Sequence, residues 1–269
     1  MRIALTIAGS DSIGGAGVQA DLKTFAALGV HGVSAITAVT SQNTTGVSDS
    51  FSLPPHVVQS QIAQIAQDVT IAAVKTGMLA TAGIVEGVAD TVRRMQLPNL
   101  VVDPVLAASL DSTETAGRTL LEPEAVSILK RCLLPVASVV TPNAAEAGEL
   151  AGMTVDSPSR AREAARRIFD LGPAAVVIKG GHMDGPQAID LLFHGGAFTE
   201  FAAPRSSMAP VHGTGCAFAS AVAAGLALGD DIPGAVQRAK NYVAGAIAHA
   251  FPIGHGAFIL NHFWDRAGT

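Results

Sequence analysis

Ile3-Ala4-Leu5-Thr6-Ile7-Ala8 runs into Gly9-Ser10-Asp11-Ser12-Ile13-Gly14-Gly15-Ala16-Gly17, and that loop opens on the helical stretch Val18 to Leu28. A short apolar run bounded by glycine suits a strand covered on both faces. The rhythm then repeats. Val33 to Thr40, Ala72 to Lys75, Leu100 to Val102, Ser138 to Val140 and Ala174 to Ile178 read as strands. His56 to Ala66, Ile84 to Gln96, Ala125 to Cys132 and Arg160 to Leu171 read as the helices between them. Such alternation predicts an α/β fold of three layers, α/β/α, around a mostly parallel central sheet. Ala188 to Phe193 and Ala197 to Phe201, joined at Gly195-Gly196, predict an antiparallel hairpin at one edge. Gly213 to Leu228 and Asp231 to His249 close the chain as two Ala-rich helices. With no linker, low-complexity tract or internal repeat, residues 1–269 read as a single domain.

Composition narrows the function classes. The 269 residues are 49% hydrophobic, 14% charged and 4% aromatic, which describes a tightly packed globular protein and excludes disorder. The net charge of −5 carries no basic stripe, so nucleic acid is not an expected partner. Cys132 and Cys216 lie far apart and form no CxxC pair, which suggests neither a disulfide framework nor a zinc site and fits a reducing cytoplasm. The apolar start is shorter than a signal-peptide core, and no run approaches the roughly 18 residues of a membrane span. The expectation is an unexported protein, which makes Asn43-Thr44-Thr45 a chance glycosylation match.

Ligands of open α/β sheets bind outside the carboxyl ends of the strands, and here those ends are polar. Strand one is followed by the glycine loop, and later strands end at Ser41-Gln42-Asn43-Thr44, Lys75-Thr76-Gly77-Met78, Asp103-Pro104, Thr141-Pro142-Asn143 and Lys179-Gly180-Gly181-His182. The glycine loop matches neither GxxxxGK[ST] nor GxGxxG, and alone it is a flexible turn. Near the end of the chain, Val211-His212-Gly213-Thr214-Gly215-Cys216 runs straight into Ala217 to Ala224. The first turn of a helix leaves amide N–H groups unpartnered and partly positive, so this junction can bind a phosphate. Gly213 and Gly215 lack the Cβ atoms that would keep a ligand away, and Cys216 sits where the helix dipole favours a thiolate. A glycine turn standing alone is as often only a turn.

The remaining candidates each carry two readings. Asp103 before Pro104 starts a turn or holds Mg²⁺, a hard ion that prefers oxygen. Asn143 and Glu146, three apart at a helix start, form a capping box or present an amide and a carboxylate to a hydrated Mg²⁺. Lys179, followed by two glycines, is placed to meet phosphate as a point charge. His212, beside the anion turn, contacts a ligand or supports the turn. His31, His194 and His249 show no metal-ligand spacing, Cys132 and Met95 read as packing, and Glu114 to Glu124 as a solvated loop and helix start.

Assembled, these motifs resemble the hydroxymethylpyrimidine/phosphomethylpyrimidine kinases of thiamin biosynthesis, a branch of the ribokinase-like superfamily. The resemblance spans essentially the whole chain and adds Gln19-Ala20-Asp21-Leu22-Lys23-Thr24-Phe25, Asp103-Pro104-Val105, and Gly254 and Gly256 with Asn261-His262-Phe263. It implies two successive phosphoryl transfers from MgATP, to the hydroxymethyl group of 4-amino-5-hydroxymethyl-2-methylpyrimidine and then to its monophosphate. It places Gly9, Asp21, Gln42, Met78 and Val105 in the pyrimidine pocket, with His212 beside them. Asn143, Glu146 and Lys179 would face the nucleotide, and Asp103 and Glu146 the Mg²⁺. Gly213, Thr214, Gly215 and Cys216 would hold the migrating phosphoryl group. Where sugar kinases of the superfamily place an aspartate base this chain has Cys216, expected to take the hydroxyl proton. The resemblance also implies a homodimer and raises K⁺ dependence as an open question. Pyridoxal or pyridoxine kinase is the nearest rival, ahead of a non-catalytic sensor and of a sugar kinase. Ala217, Val211 and Leu110 depart from the family's usual residues.

Overall fold

The computed structural model describes residues 1–106, 121–181, 187–205 and 210–265. Leu110, His182 and most of the acidic stretch from Glu114 lie outside them. Nine strands form one sheet in the order β3-β2-β1-β4-β5-β6-β7-β8-β9. They are β1 (Ile3–Ser10), β2 (His31–Asn43), β3 (Gly46–Ser52), β4 (Ala73–Thr76), β5 (Leu100–Val102), β6 (Val139–Val140), β7 (Ala175–Ile178), β8 (Gln187–His194) and β9 (Ala197–Pro204). Strands β2, β1, β4, β5, β6 and β7 run parallel. The expected hairpin β8–β9 is antiparallel at one edge. A second antiparallel pair, β2–β3, closes the other edge. Sequence reading missed β3, because Gly46-Val47-Ser48-Asp49-Ser50-Phe51-Ser52 buries only Val47 and shows no usable alternation. Asn43 makes the turn into it, its side-chain oxygen accepting the amides of Thr45 and Gly46 at 2.8 and 3.1 Å.

Alternate strand residues feed two separate cores, as the two-residue period of a strand requires. Leu5, Ile7, Val74, Leu100, Val102, Val140, Val176 and Ile178 face one side. There they meet α2 (Pro55–Asp68), α3 (Ala82–Arg94), α4 (Pro123–Ile128), α5 (Ala144–Ala151) and α6 (Pro158–Phe169). Ala4, Ala73, Val101, Val139, Ala175 and Val177 face α1 (Gly17–Ala27), α7 (Thr214–Leu228) and α8 (Ile232–Ala248). The alanine content of α7 is explained by proximity: a Cβ on Gly225 would lie 2.9 Å from the Cα of Ala235 on α8. Side-chain oxygens of Thr81, Asn143, Ser157 and Asp231 cap α3, α5, α6 and α8. The helix read as Ala125 to Cys132 instead stops at Ile128 and continues through a wide turn, Leu129–Leu133, into a tight one, Leu134–Val136.

Two short strands, β10 (Val211–His212) and β11 (Phe258–Ile259), pair in parallel outside the main sheet and tie the C-terminal segment to the start of α7. That segment also packs on the β2–β3 turn. A Cβ on Gly256 would lie 2.0 Å from the backbone oxygen of Thr44, so both backbones must stay bare there.

Candidate active site

Strand order reverses at β1, whose neighbours are β2 on one side and β4 on the other. In an open α/β sheet the crevice at the carboxyl end of such a reversal is where a ligand fits. A cavity of about 630 Å³ lies there. It is lined by residues following β1, β2, β4, β5, β6 and β7 and by the start of α7.

Among the expected site residues, Gly9, Gln42, Met78, Asp103, Val105, Asn143, Glu146, Lys179 and His212 through Cys216 all line this cavity. Asp21 does not reach it. Its carboxylate is fully buried beneath the floor, taking Lys75 Nζ on both oxygens at 2.9 Å, Thr6 Oγ1 at 2.6 Å and Ser220 Oγ at 2.7 Å. Lys75 joins the cavity wall, so Asp21 acts on the site through Lys75. Burial opposes charge on that ammonium, but Asp21, with Cys216 and Asp103 also near, holds it firmly protonated.

The glycine turn before α7 is formed as its sequence suggests. Gly213 caps α7 at φ +84°, and no side chain caps the helix. The first helical bond runs from Ala217 N–H to Gly213 O at 2.9 Å, which leaves the amides of residues 214–216 at the helix mouth. The turn is locked to the β1 loop: a Cβ on Gly213 would lie 1.8 Å from the oxygen of Gly15. Gly17 N–H donates to the sulfur of Cys216, joining the starts of α1 and α7. Burial pushes the Cys216 thiol up to about 11, and Asp103 and Asp21 add to this against the pull of Lys75 and Gly17. The resting side chain is therefore a thiol, and the dipole does not win at this helix end.

Lys179, Asp103 and Glu146 gather beside the turn. Lys179 Nζ lies 2.9 Å from Asp103 Oδ1 and 3.9 Å from Glu146 Oε2. For Asn143 and Glu146 the capping-box reading holds. They form a capping box, with Glu146 N–H on Asn143 Oδ1 at 2.9 Å and Asn143 N–H on Glu146 Oε2 at 2.8 Å, and they still face the cavity. Burial first, then Asp103, raises the Glu146 carboxyl to about 7 against the pull of Lys179 and the Asn143 amide. The glycine after Lys179 has a packing cause: a Cβ on Gly180 would meet the oxygen of Ile189 on β8 at 1.7 Å.

At the other end, a Cβ on Gly9 would meet Met78 Cε at 2.7 Å, so the glycine makes room for the methionine. His212 Nε2 lies 3.0 Å from Asp11 Oδ2 and 3.1 Å from the Gln42 amide. Asp190, Arg205 and Lys240 of the wall were not singled out by sequence, and Asp11 and Lys75 were quoted there only within longer motifs. Lys240 Nζ pairs with Asp190 Oδ2 at 2.9 Å, and Gly180 N–H donates to Asp190 Oδ1 at 2.8 Å. The available signal was a charge inside an apolar segment, as with Lys75 ending β4 and Asp190 inside β8.

Comparison with known proteins identifies the family. The sequence profile described as phosphomethylpyrimidine kinase matches residues 11–261. A hydroxymethylpyrimidine/phosphomethylpyrimidine kinase of Streptomyces coelicolor is 46% identical, over 97% of this chain and 94% of its own length. The thiamine biosynthesis bifunctional protein ThiED of Geobacter sulfurreducens is 45% identical over 96% of this chain and 51% of its own length. Among solved structures, a Bacillus subtilis pyridoxal kinase in complex with ADP superposes with a TM-score of 0.90 at 36% identity, each chain covered in full. The chain belongs to the phosphomethylpyrimidine kinase family.

Proposed function

We propose that the chain acts as one kinase domain that transfers the γ-phosphoryl group of ATP to the hydroxymethyl group of 4-amino-5-hydroxymethyl-2-methylpyrimidine, and then transfers a second to the monophosphate. One observation carries this reading. A single cavity holds an uncapped helix start with Lys179 beside two carboxylates, and also the Gln42 amide with Met78 and Val105. The first set neutralises phosphate and the second grips a flat heterocycle edge.

Phosphoryl transfer needs positioning and charge neutralisation more than covalent help from the protein. The amides of residues 214–216 and Lys179 Nζ receive the developing phosphate charge. Gln42 orients the ring so that the hydroxymethyl oxygen faces the anion turn. Asp103 and Glu146 suit Mg²⁺, because two carboxylates share one lysine, and burial, with Asp103 adding to it, raises the Glu146 carboxyl. Held by Asp103 and Glu146, Mg²⁺ would supply positive charge to offset that of the phosphate groups. Cys216 is the group assigned to take the hydroxyl proton, and burial means it must first lose its own. If it does so, the first transfer gains rate as pH rises toward about 11, and Cys216→Ser removes that rise. A first transfer with the same pH profile in both proteins would remove Cys216 from the base role.

The deciding assay is mass analysis of products from the aminopyrimidine alcohol, pyridoxal and ribose, each with MgATP, with and without K⁺. A pyrimidine diphosphate supports the proposal. Phosphorylation of pyridoxal alone would support the second reading, which the likeness to the Bacillus pyridoxal kinase keeps open. We assign the protein to the cytoplasm; among the described residues no helix is long and apolar enough to cross a membrane. We also propose a homodimer. Val39 and Phe51, cross-strand neighbours on β2 and β3, are 50% and 68% exposed, an apolar pair suited to a second copy. Sedimentation of Phe51→Glu would show a monomer.

A further inference from the structure

The hydrogens around His212 determine which way Gln42 points. Asp11 carries an ionised carboxylate. Burial alone would raise it, but His212 and the amides of Ala16 and Ile13 hold it below the usual range. Its oxygens accept Ala16 N–H at 2.7 Å and Ile13 N–H at 3.1 Å, so Asp11 offers His212 nothing but an acceptor. His212 Nε2, 3.0 Å away, must carry a hydrogen. It cannot then accept another from an NH₂ group 3.1 Å away on Gln42.

The opposite end of the amide meets the same conflict. Thr40 has one hydroxyl hydrogen, and it faces two acceptors, the Ser10 carbonyl at 2.9 Å and a Gln42 carbonyl at 3.2 Å. One assignment satisfies both ends, since amide oxygen and nitrogen are told apart only by their bonding. The Gln42 carbonyl oxygen faces His212, and its NH₂ faces Thr40. His212 Nε2–H is shared between Asp11 and Gln42, Gln42 donates to Thr40 Oγ1, and Thr40 donates to Ser10. Gln42 keeps one lone pair and one N–H, side by side, for the cavity. His212 is clamped there, because a Cβ on Gly15 would lie 2.5 Å from its ring.

We propose that Asp11, acting through His212, fixes the amide orientation of Gln42 and so sets the donor and acceptor order in which the site reads a ring edge. This rests on the aminopyrimidine reading above. An aminopyrimidine offers an NH₂ donor beside a ring-nitrogen acceptor, which the oriented amide matches. The 4-oxo analogue offers a carbonyl beside a ring N–H, the reverse order. Binding it would require the other amide orientation, which breaks the bonds to both His212 and Thr40. Asp11 is a positioning residue, and its effect is on specificity.

The test compares kcat/KM for the 4-amino alcohol and its 4-oxo analogue in wild type, Asp11→Asn, Asp11→Ala, His212→Phe, Gln42→Ala and the Asp11→Ala/Gln42→Ala double variant. Wild type should prefer the amino substrate by roughly ten- to a hundred-fold, the range of one bidentate contact. Asp11→Ala and His212→Phe should each cut that preference about tenfold through KM with kcat little changed, the share of one lost hydrogen bond. Asp11→Asn, which can still offer His212 an oxygen, should restore it. Once Gln42 is alanine, removing Asp11 should not change the preference further. A preference that stays put in Asp11→Ala and His212→Phe, or effects that add in the double variant, overturns the proposal. His212→Phe alone decides it if Asp11→Ala does not fold. Wild type inactive on the amino alcohol would sink the functional reading itself, a separate result from an active wild type whose variants keep the preference.

Discussion

Lys75 and Lys179 both reach the same cavity from the ends of parallel strands, yet their surroundings differ. Lys75 is sealed with Asp21 at zero exposure, and Thr6 and Ser220 complete the carboxylate's bonding. Lys179 is 14% exposed and shares itself between Asp103 and Glu146, the second of them nearly 4 Å away at 3.9 Å. The first cluster is balanced in charge and fully bonded. The second has one carboxylate too many and room for a ligand to rearrange it. One therefore fixes the floor of the site, and the other is the cluster to which the proposed function assigns the phosphate charge.

The sharpest way to break this contrast is Lys75→Met, which strands a buried carboxylate and should cost about 3–5 kcal/mol in denaturant unfolding. Adding Asp21→Leu should recover most of that stability. If Lys75→Met costs no more than Lys179→Met, the two clusters are not different in kind. Lys179→Met leaves Asp103 without its ion pair at the cavity wall and should cost less stability than Lys75→Met while lowering kcat by roughly 10²–10³, the scale of losing one preorganised charge contact. Steady-state rates with saturating MgATP check it. Gln42→Ala, at the opposite end, should weaken pyrimidine binding by about 1–3 kcal/mol, and an unchanged KM for the pyrimidine would remove it from the pocket.

The smallest effect is a pH slope. Glu146 titrates near 7 in the folded chain against 4.5 for an ordinary glutamate, so the folded state holds that proton more tightly than the unfolded state. Its contribution is most favourable below about 4.5 and is lost as pH rises through about 7. Unfolding free energies without nucleotide or Mg²⁺ should therefore decline across that window, and Glu146→Gln should flatten the decline. A slope unaltered in Glu146→Gln would assign the proton elsewhere.

Much of the architecture was legible because short apolar runs and helical stretches alternate, and only a covered parallel sheet uses both. The hairpin β8–β9 was legible from Gly195-Gly196. Strand β3 was not, since its residues are mostly exposed and its pairing with β2 comes from the sheet edge rather than from apolar alternation. The anion turn and the strand-end residues could be read for similar reasons: glycine and charge after an apolar run have few structural uses. Asp21 shows the limit. Its position on α1 gave no sign that it would sit under the site rather than in it.

By itself the sequence determined the layered α/β fold, the glycine turn at the start of α7 and the polar and charged residue types gathered at the strand ends. These follow from local periodicity and backbone freedom, which act within a few residues. Only the folded chain decided that Cys216 rests as a thiol, that Lys75 and Asp21 neutralise one another, and that Asp11 meets His212 across 201 residues of sequence. Desolvation and hydrogen-bond partnership depend on neighbours in space, and the sheet brings those neighbours together from strands far apart in the chain.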